Sequence, residues 1–503
     1  MAALVGSSLP GEKIAAAVYA ALLCGLLLAA LPPLGFRIAR LLTAITLPLC
    51  WLWVAYAGLN GMGPAAIIAA RTLAETNPAE VLTQLQLLAS AGTVCICAFQ
   101  AVLLAASYAA GAPRASRHTP ALLAVLLGLL MLNAWIPRLL PRAPGFLPGR
   151  DDWQNFPYGS LADVAVTALI DHDAMWSQAR SSVRRPPAAE AAVSSRIDAI
   201  FIIGESFRYE RQSDASPDRG AWAALKVRFG AGLGVLLPPV CASADATALS
   251  VPMLMTGTTP ANQQDAVKAP SGLGRLAAAG YETAWISNQH QDFFPEEKRD
   301  LLWFANGYAN QYDEALLPMA AAFLGKNDQR NKALVLHLMD SHAAYEDRYP
   351  SAAEPDGLDA GQQELLRYHR ANAHTAAVLG KIAALLDNVQ TPAFAVYVSD
   401  HGENLIADHN GMHYHFGART TARAAYVPAV VLWNAAFGKA YDPTRRLQPL
   451  VSAAALAHAD VHDIWLNFAG LKVSLLPTPE PRIYGKVSLT DPVAAVPCAR
   501  LEP

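Results

Sequence analysis

Four long uncharged segments occupy the first 140 residues of this 503-residue chain, and they constrain its fold more than any other feature. Asp, Glu, Lys and Arg are all missing from residues 14–36, 41–70, 81–113 and 119–137. A helix of about 20 apolar residues is long enough to cross a bilayer. The pattern predicts four transmembrane helices, at 14–35, 40–61, 84–108 and 118–137. A buried core helix is the alternative for any single segment, and a cleaved signal peptide is a further alternative for the first.

The basic residues of the connecting loops indicate how these helices are oriented. Arg37 and Arg40 follow the first predicted helix, and Arg114 and Arg117 follow the third. Short loops that carry Lys and Arg stay on the cytoplasmic side of a membrane. We therefore expect the loop 62–83, and the whole chain beyond the fourth helix, to lie outside the cytoplasm.

Charge and cysteine content narrow the class of protein further. Charged residues make up 16% of the chain and its net charge is -3, which excludes a disordered chain and the basic surface of a nucleic-acid-binding protein. Six cysteines are too few for a disulfide framework, and none has the C-x2-C spacing of a zinc-cysteine site. Whether Cys241 and Cys498 pair is left open, as is the oligomeric state.

The chain divides into three predicted parts: a transmembrane domain at 1–138, a linker at 139–195 and an α/β domain at 196–503. In the last part, short apolar runs alternate with helical patterns, which is typical of a mostly parallel sheet covered by helices. The predicted strands are 199–204, 232–238, 283–287, 333–339, 393–399 and 428–433. The predicted helices are 247–256, 271–279, 362–388 and 459–469.

Polar residues follow several of these strands, where ligands gather in parallel sheets. Glu205 follows the first strand, Asp400 and His401 follow a later one, and Thr247 begins a helix. Carboxylate and imidazole groups are zinc ligands, and a zinc-bound hydroxyl becomes a nucleophile near neutral pH. Further candidates are His337, His342, His409, His413 and His415.

Each of these residues also has a purely structural interpretation. A Glu after a strand is often a solvated loop residue, an Asp in a loop can bond to its own backbone, and Thr247 can cap its helix. His337 lies within an apolar strand and can be a core residue. Their joint occurrence favours a site over four independent coincidences.

The motifs around these residues resemble those of the membrane-anchored phosphoethanolamine transferases of Gram-negative bacteria, in the alkaline phosphatase/sulfatase superfamily. Gly204-Glu205-Ser206, Ser250-Val251-Pro252, Ser399-Asp400-His401-Gly402-Glu403 and Leu336-His337-x-Met339-x-x-His342 carry the resemblance. It implies a catalytic domain of the sulfatase type with Glu205, Asp400, His401 and Thr247 on zinc. Thr247 would be the nucleophile. His342 and His413 would act in catalysis and, with His337, bind substrate; the spacing favours His413 over His415.

The outer loop of the membrane part carries a further resemblance, at Thr72, Thr76 and Glu80. Their four-residue spacing puts all three on one face of a helix. The resemblance implies that they bind the donor lipid, and an amphipathic surface helix is the alternative. The chain departs from the family in having Thr72 instead of Asn, fewer paired cysteines and four predicted spans instead of five.

The resemblance implies transfer of phosphoethanolamine from phosphatidylethanolamine to a lipopolysaccharide acceptor, on lipid A or the core, at the periplasmic face of the bacterial inner membrane. One zinc ion is expected, and a second is left open. A phosphoglycerol transferase acting on an envelope glycan, and a non-catalytic lipopolysaccharide-binding membrane protein, are the alternatives. A hydrolytic sulfatase is disfavoured, because Cys241-Ala242-Ser243-Ala244-Asp245 lacks the Pro and Arg of its C/S-x-P-x-R motif.

Overall fold

A computed structural model describes most of the chain from residue 196 onward. The described residues are 196–210, 222–289, 293–294, 297–305, 312–326, 330–410, 414–415, 419–485, 487 and 494–502. The four predicted membrane helices, the linker and the loop with Thr72, Thr76 and Glu80 lie outside these ranges. Within them, no helix combines the length and the apolar character needed to cross a bilayer.

A seven-stranded sheet forms the centre of the described domain, in the order β2-β9-β7-β1-β6-β4-β5. The strands from β7 to β5 are parallel, whereas β9 runs antiparallel to both β7 and β2. The strands are β1 (Asp198–Gly204), β2 (Gly234–Leu236), β4 (Glu282–Ser287), β5 (Leu301–Phe304), β6 (Lys332–His337), β7 (Ala393–Ser399) and β9 (Ala429–Trp433). The predicted mostly parallel α/β sheet is confirmed.

The central strands are apolar between their end residues because both faces of the sheet are covered. Every residue of β1, β6 and β7 is buried. One core lies on each side of the sheet: Phe201 and Val396 face one, and Ile200 and Ala395 face the other. Parallel pairing aligns the strand ends, so the loops after β1, β6 and β7 leave the same edge of the sheet.

Helices cover both faces of this sheet. They are α1 (Ala223–Gly230), α2 (Thr247–Thr256), α3 (Gly272–Ala278), α4 (Leu317–Leu324), α5 (Ala360–Asn388), α6 (Ala422–Ala425), α7 (Ala435–Tyr441), α8 (Pro443–Val451) and α9 (His458–Phe468). The longest, α5, begins at a capping box, in which the Asp359 carboxylate accepts from the backbone of Gln362. A buried stripe that includes Tyr368 and Leu379 holds this helix against the sheet.

Two smaller sheets complete the described domain. The first has the order β10-β3-β8, formed by Leu456–Ala457, Val240–Cys241 and Tyr426–Val427. The second is a hairpin of β11 (Arg482–Gly485) and β12 (Ala494–Pro497). A disulfide joins Cys241 in β3 to Cys498 after β12, which answers the question that the sequence left open.

All six predicted strands and all four predicted helices occur, with ends that differ by a few residues. The sequence did not predict the edge strand β5, the two-residue strands, the final hairpin or helices α1, α4, α6, α7 and α8. These elements are short, and a periodic pattern of apolar residues needs a longer stretch to stand out.

Candidate metal centre

Glu205 leaves β1 at the carboxyl edge of the sheet and is fully buried. Its Oε1 accepts a hydrogen bond from Ser206 Oγ at 3.0 Å, and its Oε2 accepts one from Gln289 Nε2 at 3.0 Å. The preceding residue must be Gly204, because a Cβ there would collide with the Asp340 carboxylate and the Tyr397 hydroxyl. The end of β1 therefore holds this carboxylate in one orientation.

Asp400 and His401 leave β7 beside Glu205, and both are fully buried. Asp400 Oδ1 accepts from the backbone N–H groups of Ser206 at 3.2 Å and His401 at 2.7 Å, while its Oδ2 has no hydrogen-bond partner. His401 Nδ1 lies 2.9 Å from the carbonyl oxygen of Gly402. A carbonyl only accepts, so Nδ1 carries a proton and Nε2 faces the two carboxylates.

Thr247 is the first residue of α2, and it brings a hydroxyl to the same point. Its Oγ1 lies 3.1 Å from Glu205 Oε2, 3.3 Å from Glu205 Oε1 and 3.2 Å from His401 Nε2. The side chain is only partly buried. The N-terminus of a helix favours negative charge, so the position is suited to a phosphate group bound next to this hydroxyl.

The charges of this site are strongly coupled. Burial, followed by the neighbouring Glu205 carboxylate, raises the pKa of Asp400 well above its usual value. Burial alone would raise the pKa of Glu205, but His401 lowers it well below the ordinary range. Burial also disfavours a charged His401, yet Asp400 and Glu205 outweigh it and raise its pKa to about 10. Two buried carboxylates with oxygens within 4.8 Å of each other are both ionised only when a positive charge lies between them.

The donor set fits a zinc ion. One ligand atom from each of Glu205, Asp400 and His401 lies within 4.8 Å of the other two, and Thr247 Oγ1 adds a fourth. Zinc accepts carboxylate oxygen and imidazole nitrogen, usually with four ligands. Asp400 Oδ2 accepts no hydrogen bond and lies 3.4 Å from His401 Nε2, and a backbone carbonyl orients the His401 ring; both features are typical of metal ligands.

The other predicted histidines take different positions. His342 is partly buried, and its Nδ1 lies 3.4 Å from the carbonyl oxygen of Ala343. His337 is fully buried, its ring lies edge-on to Trp285, and neither ring nitrogen has a hydrogen-bond partner. His413 lies outside the described residues, and its predicted role stays a prediction.

His415, which the sequence analysis set behind His413, lies at the site. Its ring centroid is 4.1 Å from that of His401, and its Nδ1 is 3.3 Å from both carboxylate oxygens of Glu403. Spacing alone did not identify this residue, because the loop bends between the segment with Asp400 and His401 and the histidine. The bridge between Asn404 and Tyr414 turns the chain back on itself and brings His415 to His401.

Two supporting residues were not predicted. Gln289 donates to Glu205 and also to the carbonyl oxygen of Leu338, at 2.9 Å. Asp340 accepts from the Tyr397 hydroxyl at 2.6 Å and from the backbone N–H of Glu205 at 3.3 Å. Each joins loops that are distant in sequence, and a single sequence without a known fold contains no signal for such a contact.

A family model described as Sulfatase matches residues 198–471, which is more than half of the chain. The chain therefore belongs to the sulfatase family. The matched range contains Glu205, Thr247, Asp400 and His401.

Two curated relatives come from Escherichia coli. The putative transferase YhbX is 26% identical over 253 residues, which is 49% of this chain and 45% of the relative. The phosphoethanolamine transferase EptC is 26% identical over 248 residues, 44% of this chain and 42% of the relative. The resemblance to phosphoethanolamine transferases is thus confirmed, and this chain spans less than half the length of either relative.

Two solved structures share the fold. The C-terminal periplasmic domain of EptC from Escherichia coli, solved in complex with Zn, is 20% identical with a TM-score of 0.53, covering 63% of this chain and 98% of that one. The integral membrane protein lipooligosaccharide phosphoethanolamine transferase A (EptA) from Neisseria meningitidis is 19% identical with a TM-score of 0.60, covering 86% of this chain and 84% of that one.

Proposed function

We propose that this protein transfers phosphoethanolamine from phosphatidylethanolamine to a lipopolysaccharide acceptor, on lipid A or the core. The observation that carries the proposal is the position of Thr247 Oγ1, within 3.3 Å of both Glu205 and His401 at a helix N-terminus. A hydroxyl held in this way is suited to form a covalent phosphoryl intermediate. The relative named phosphoethanolamine transferase EptC supports this choice of group.

Glu205, Asp400, His401 and Thr247 would hold a zinc ion. The likeness to the EptC domain solved with Zn supports this choice of metal, and the donor set agrees with it. When bound, zinc would lower the pKa of the Thr247 hydroxyl and withdraw charge from the phosphate. We propose that one zinc ion is tightly bound, and the zinc content per chain of the purified protein tests this number.

The proposed reaction has two displacements at phosphorus. Thr247 Oγ1 attacks the phosphate of the donor lipid, the bond to the glycerol oxygen breaks, and diacylglycerol leaves with a proton. An acceptor oxygen then attacks the phosphorus of the phosphoethanolamine-Thr247 intermediate, the bond from phosphorus to Thr247 Oγ1 breaks, and the proton of the acceptor hydroxyl passes to Thr247. We assign proton transfer and phosphate binding to His342 and to a histidine of the following loop, His413 or His415. His337 would support the same subsite.

The proposed location is the bacterial inner membrane, with the α/β domain in the periplasm. The uncharged segments of the first 140 residues support a membrane domain, as does the likeness to the integral membrane protein EptA. The Cys241–Cys498 disulfide supports an oxidising compartment, since such bonds are rare in the cytosol. A membrane anchor keeps an enzyme close to lipid substrates and raises their effective concentration. Thr72, Thr76 and Glu80 would then bind the donor.

The test is the intact mass of the full-length protein in detergent, incubated with zinc and phosphatidylethanolamine, for the wild type and for Thr247→Ala. We expect a phosphoethanolamine adduct on the wild type alone. The Thr247→Ala variant should retain the fold and lose transfer, because only the nucleophile is removed. An adduct on the variant would show that Thr247 is not the nucleophile.

Two further results of the same experiment would overturn the proposal. An adduct formed from phosphatidylglycerol but not from phosphatidylethanolamine would identify a phosphoglycerol transferase. A wild-type protein that binds no zinc and forms no adduct from either lipid would identify a non-catalytic protein. Replacement of Glu80 with Gln, with adduct formation as the readout, tests the proposed role of the membrane loop.

A further inference from the structure

His458 is a fully buried histidine that is not among the predicted site residues and has no part in the proposed reaction. It is the first residue of α9 and follows β10 directly. Strand β10 pairs in parallel with β3, in a register that puts Ala457 opposite Cys241. Both strands therefore emerge at the same point, one leading to His458 and the other to the segment that carries Thr247.

Both ring nitrogens of His458 bond to the backbone of that site. Nδ1 lies 3.0 Å from the backbone N–H of Ser243, which donates to it. Since Nδ1 accepts, Nε2 carries the proton and donates to the carbonyl oxygen of Ser399, at 3.0 Å. Burial lowers the pKa of His458 to about 3, which agrees with a neutral ring that accepts on one side and donates on the other.

The two backbone partners adjoin the reacting groups. Ser399 is the last residue of β7 and immediately precedes Asp400, while Ser243 lies four residues before Thr247. Ser250, one helical turn after Thr247, donates through its Oγ to the carbonyl oxygen of Asp400 at 2.6 Å and lies 3.4 Å from His458 Nδ1. The nucleophile segment is thus tied to the metal-ligand loop on both sides of Thr247.

A histidine that only fills space would not need these partners. His462, one turn further along α9, is equally buried, but its Nδ1 meets only the adjacent Asp463, at 3.2 Å. Metal ligands and a nucleophile must be held to within about 0.5 Å of a productive geometry. Thr247 comes from a helix and Asp400 from a strand. Besides the approach of Thr247 Oγ1 to His401 Nε2, hydrogen bonds of Ser250 and His458 join these two segments.

We propose that His458 is a positioning residue that sets the distance between the Thr247 nucleophile and the metal ligands Asp400 and His401. The inference rests on the proposed function, because it assigns His458 a role in that same reaction. His458 itself touches neither substrate nor metal. It acts by fixing the backbone at Ser243 and Ser399, on either side of the gap that the reaction bridges.

The test compares three variants of the full-length protein in detergent: His458→Phe, His458→Asn and the matched control His462→Phe. His458→Phe keeps an aromatic ring but loses both hydrogen bonds, whereas Asn offers an acceptor near the position of Nδ1. We expect His458→Phe to bind zinc about 10- to 100-fold more weakly, as replacement of groups that orient metal ligands does. Its kcat should fall about 100-fold with the donor KM unchanged, because the nucleophile is misplaced. His458→Asn should recover part of both.

The control separates positioning from simple stability. His462→Phe should lower the melting temperature about as much as His458→Phe does. It should leave the zinc affinity and kcat of the folded protein at wild-type values. Equal zinc affinity and kcat in His458→Phe and His462→Phe would overturn the inference. If His458→Phe does not fold, Ser250→Ala, which removes one hydroxyl, should weaken zinc binding and lower kcat in the same direction; wild-type values there would overturn it.

The wild type in the same titration tests the proposed function separately. A wild type that binds no zinc contradicts the proposed function, and the inference falls with it. A wild type that binds zinc and forms the adduct, next to an unaffected His458→Phe, contradicts the inference alone.

Discussion

The amino ends and the carboxyl ends of the central strands form two edges of the sheet, the amino edge and the carboxyl edge, and these differ in how buried charges are compensated. At the amino edge, the first residues of β1, β6 and β4 are Asp198, Lys332 and Glu282, side by side in register and all buried. Their signs alternate, and each has partners: Asp198 accepts from the Thr391 hydroxyl at 2.8 Å, Lys332 donates to two carbonyls, and Glu282 pairs with Lys326 at 2.6 Å.

At the carboxyl edge, two carboxylates converge on one imidazole. Asp400 Oδ2 lies 3.4 Å from His401 Nε2, and burial and the Glu205 carboxylate raise the pKa of Asp400. Removing carboxylates from water is costly unless a counter-charge replaces the solvent. Buried charges therefore alternate in sign at one edge, whereas two carboxylates share one imidazole at the other, an arrangement that suits a bound cation.

The largest expected effect comes from replacing Asp400 with Asn at the carboxyl edge. Loss of one ligand should weaken zinc binding and lower phosphoethanolamine transfer by about 1000-fold, an effect comparable to loss of a group that stabilises a transition state. The metal-free protein should be at least as stable as the wild type, because the repulsion between Asp400 and Glu205 is gone. Zinc titration, transfer assays and melting of the metal-free protein measure these quantities. A less stable metal-free variant would contradict the comparison.

At the amino edge we expect the reverse result. Lys332 Nζ donates to the carbonyl oxygens of Leu324 at 2.9 Å and Lys326 at 2.6 Å. Lys332→Met removes both charge-assisted hydrogen bonds and should lower the free energy of unfolding by about 3 kcal/mol. Transfer per folded molecule should not change. Denaturant titration measures the unfolding free energy, and an assay of the same samples measures transfer. A variant that loses transfer activity at unchanged stability would show that Lys332 affects the site at the carboxyl edge.

The smallest effect concerns His337, at the other end of the same strand. Burial lowers its pKa to about 4 in spite of the Glu205 carboxylate, so the folded protein keeps the ring neutral. Its contribution to stability is complete above the unfolded pKa of about 6.5 and is lost as the pH falls toward 4, because the unfolded chain then binds the extra proton.

Replacement of His337 with Phe removes that proton uptake. Relative to the variant, the wild type should lose about 1.4 kcal/mol of unfolding free energy per pH unit between about pH 6 and 4.5. Denaturant titrations across this range give the two slopes. Parallel slopes would show that His337 is not held neutral, and a loss of transfer near neutral pH would support its predicted role in substrate binding.

Much of the fold could be predicted because the central strands are long and apolar. β1, β6 and β7 lie in the middle of the sheet, so their polar residues are confined almost entirely to the strand ends. β5 is an edge strand of only four residues with Leu302 exposed, and so short an apolar run does not by itself identify a strand. The parallel direction of most strands could be predicted because strands alternate with helices along the sequence. The antiparallel pairing of β2 and β9 depends on tertiary contacts.

The site divides in the same way. Glu205, Asp400 and His401 were found because polar residues that directly follow apolar strands meet at one sheet edge. Thr247 was found through its motif and its place at the start of a helix. His458 and Gln289 come from distant elements, and their roles depend on a bond to a particular backbone or carboxylate atom. A sequence pattern does not record such a bond, so only the fold identifies them.

The bond between Cys241 and Cys498 spans 257 positions and has a consequence for the order in which the protein matures. Cys241 lies near the middle of the chain, and its partner Cys498 is synthesised only after almost all of the α/β domain. The pairing of β3 with β10 likewise requires a strand that lies more than 200 residues later in the sequence. The segment that follows β3 is therefore secured by contacts that form only when the C-terminal part of the chain is present. A chain truncated before Cys498 would keep the hydrogen bonds of Ser250 and His458 to this segment and would lose its covalent link.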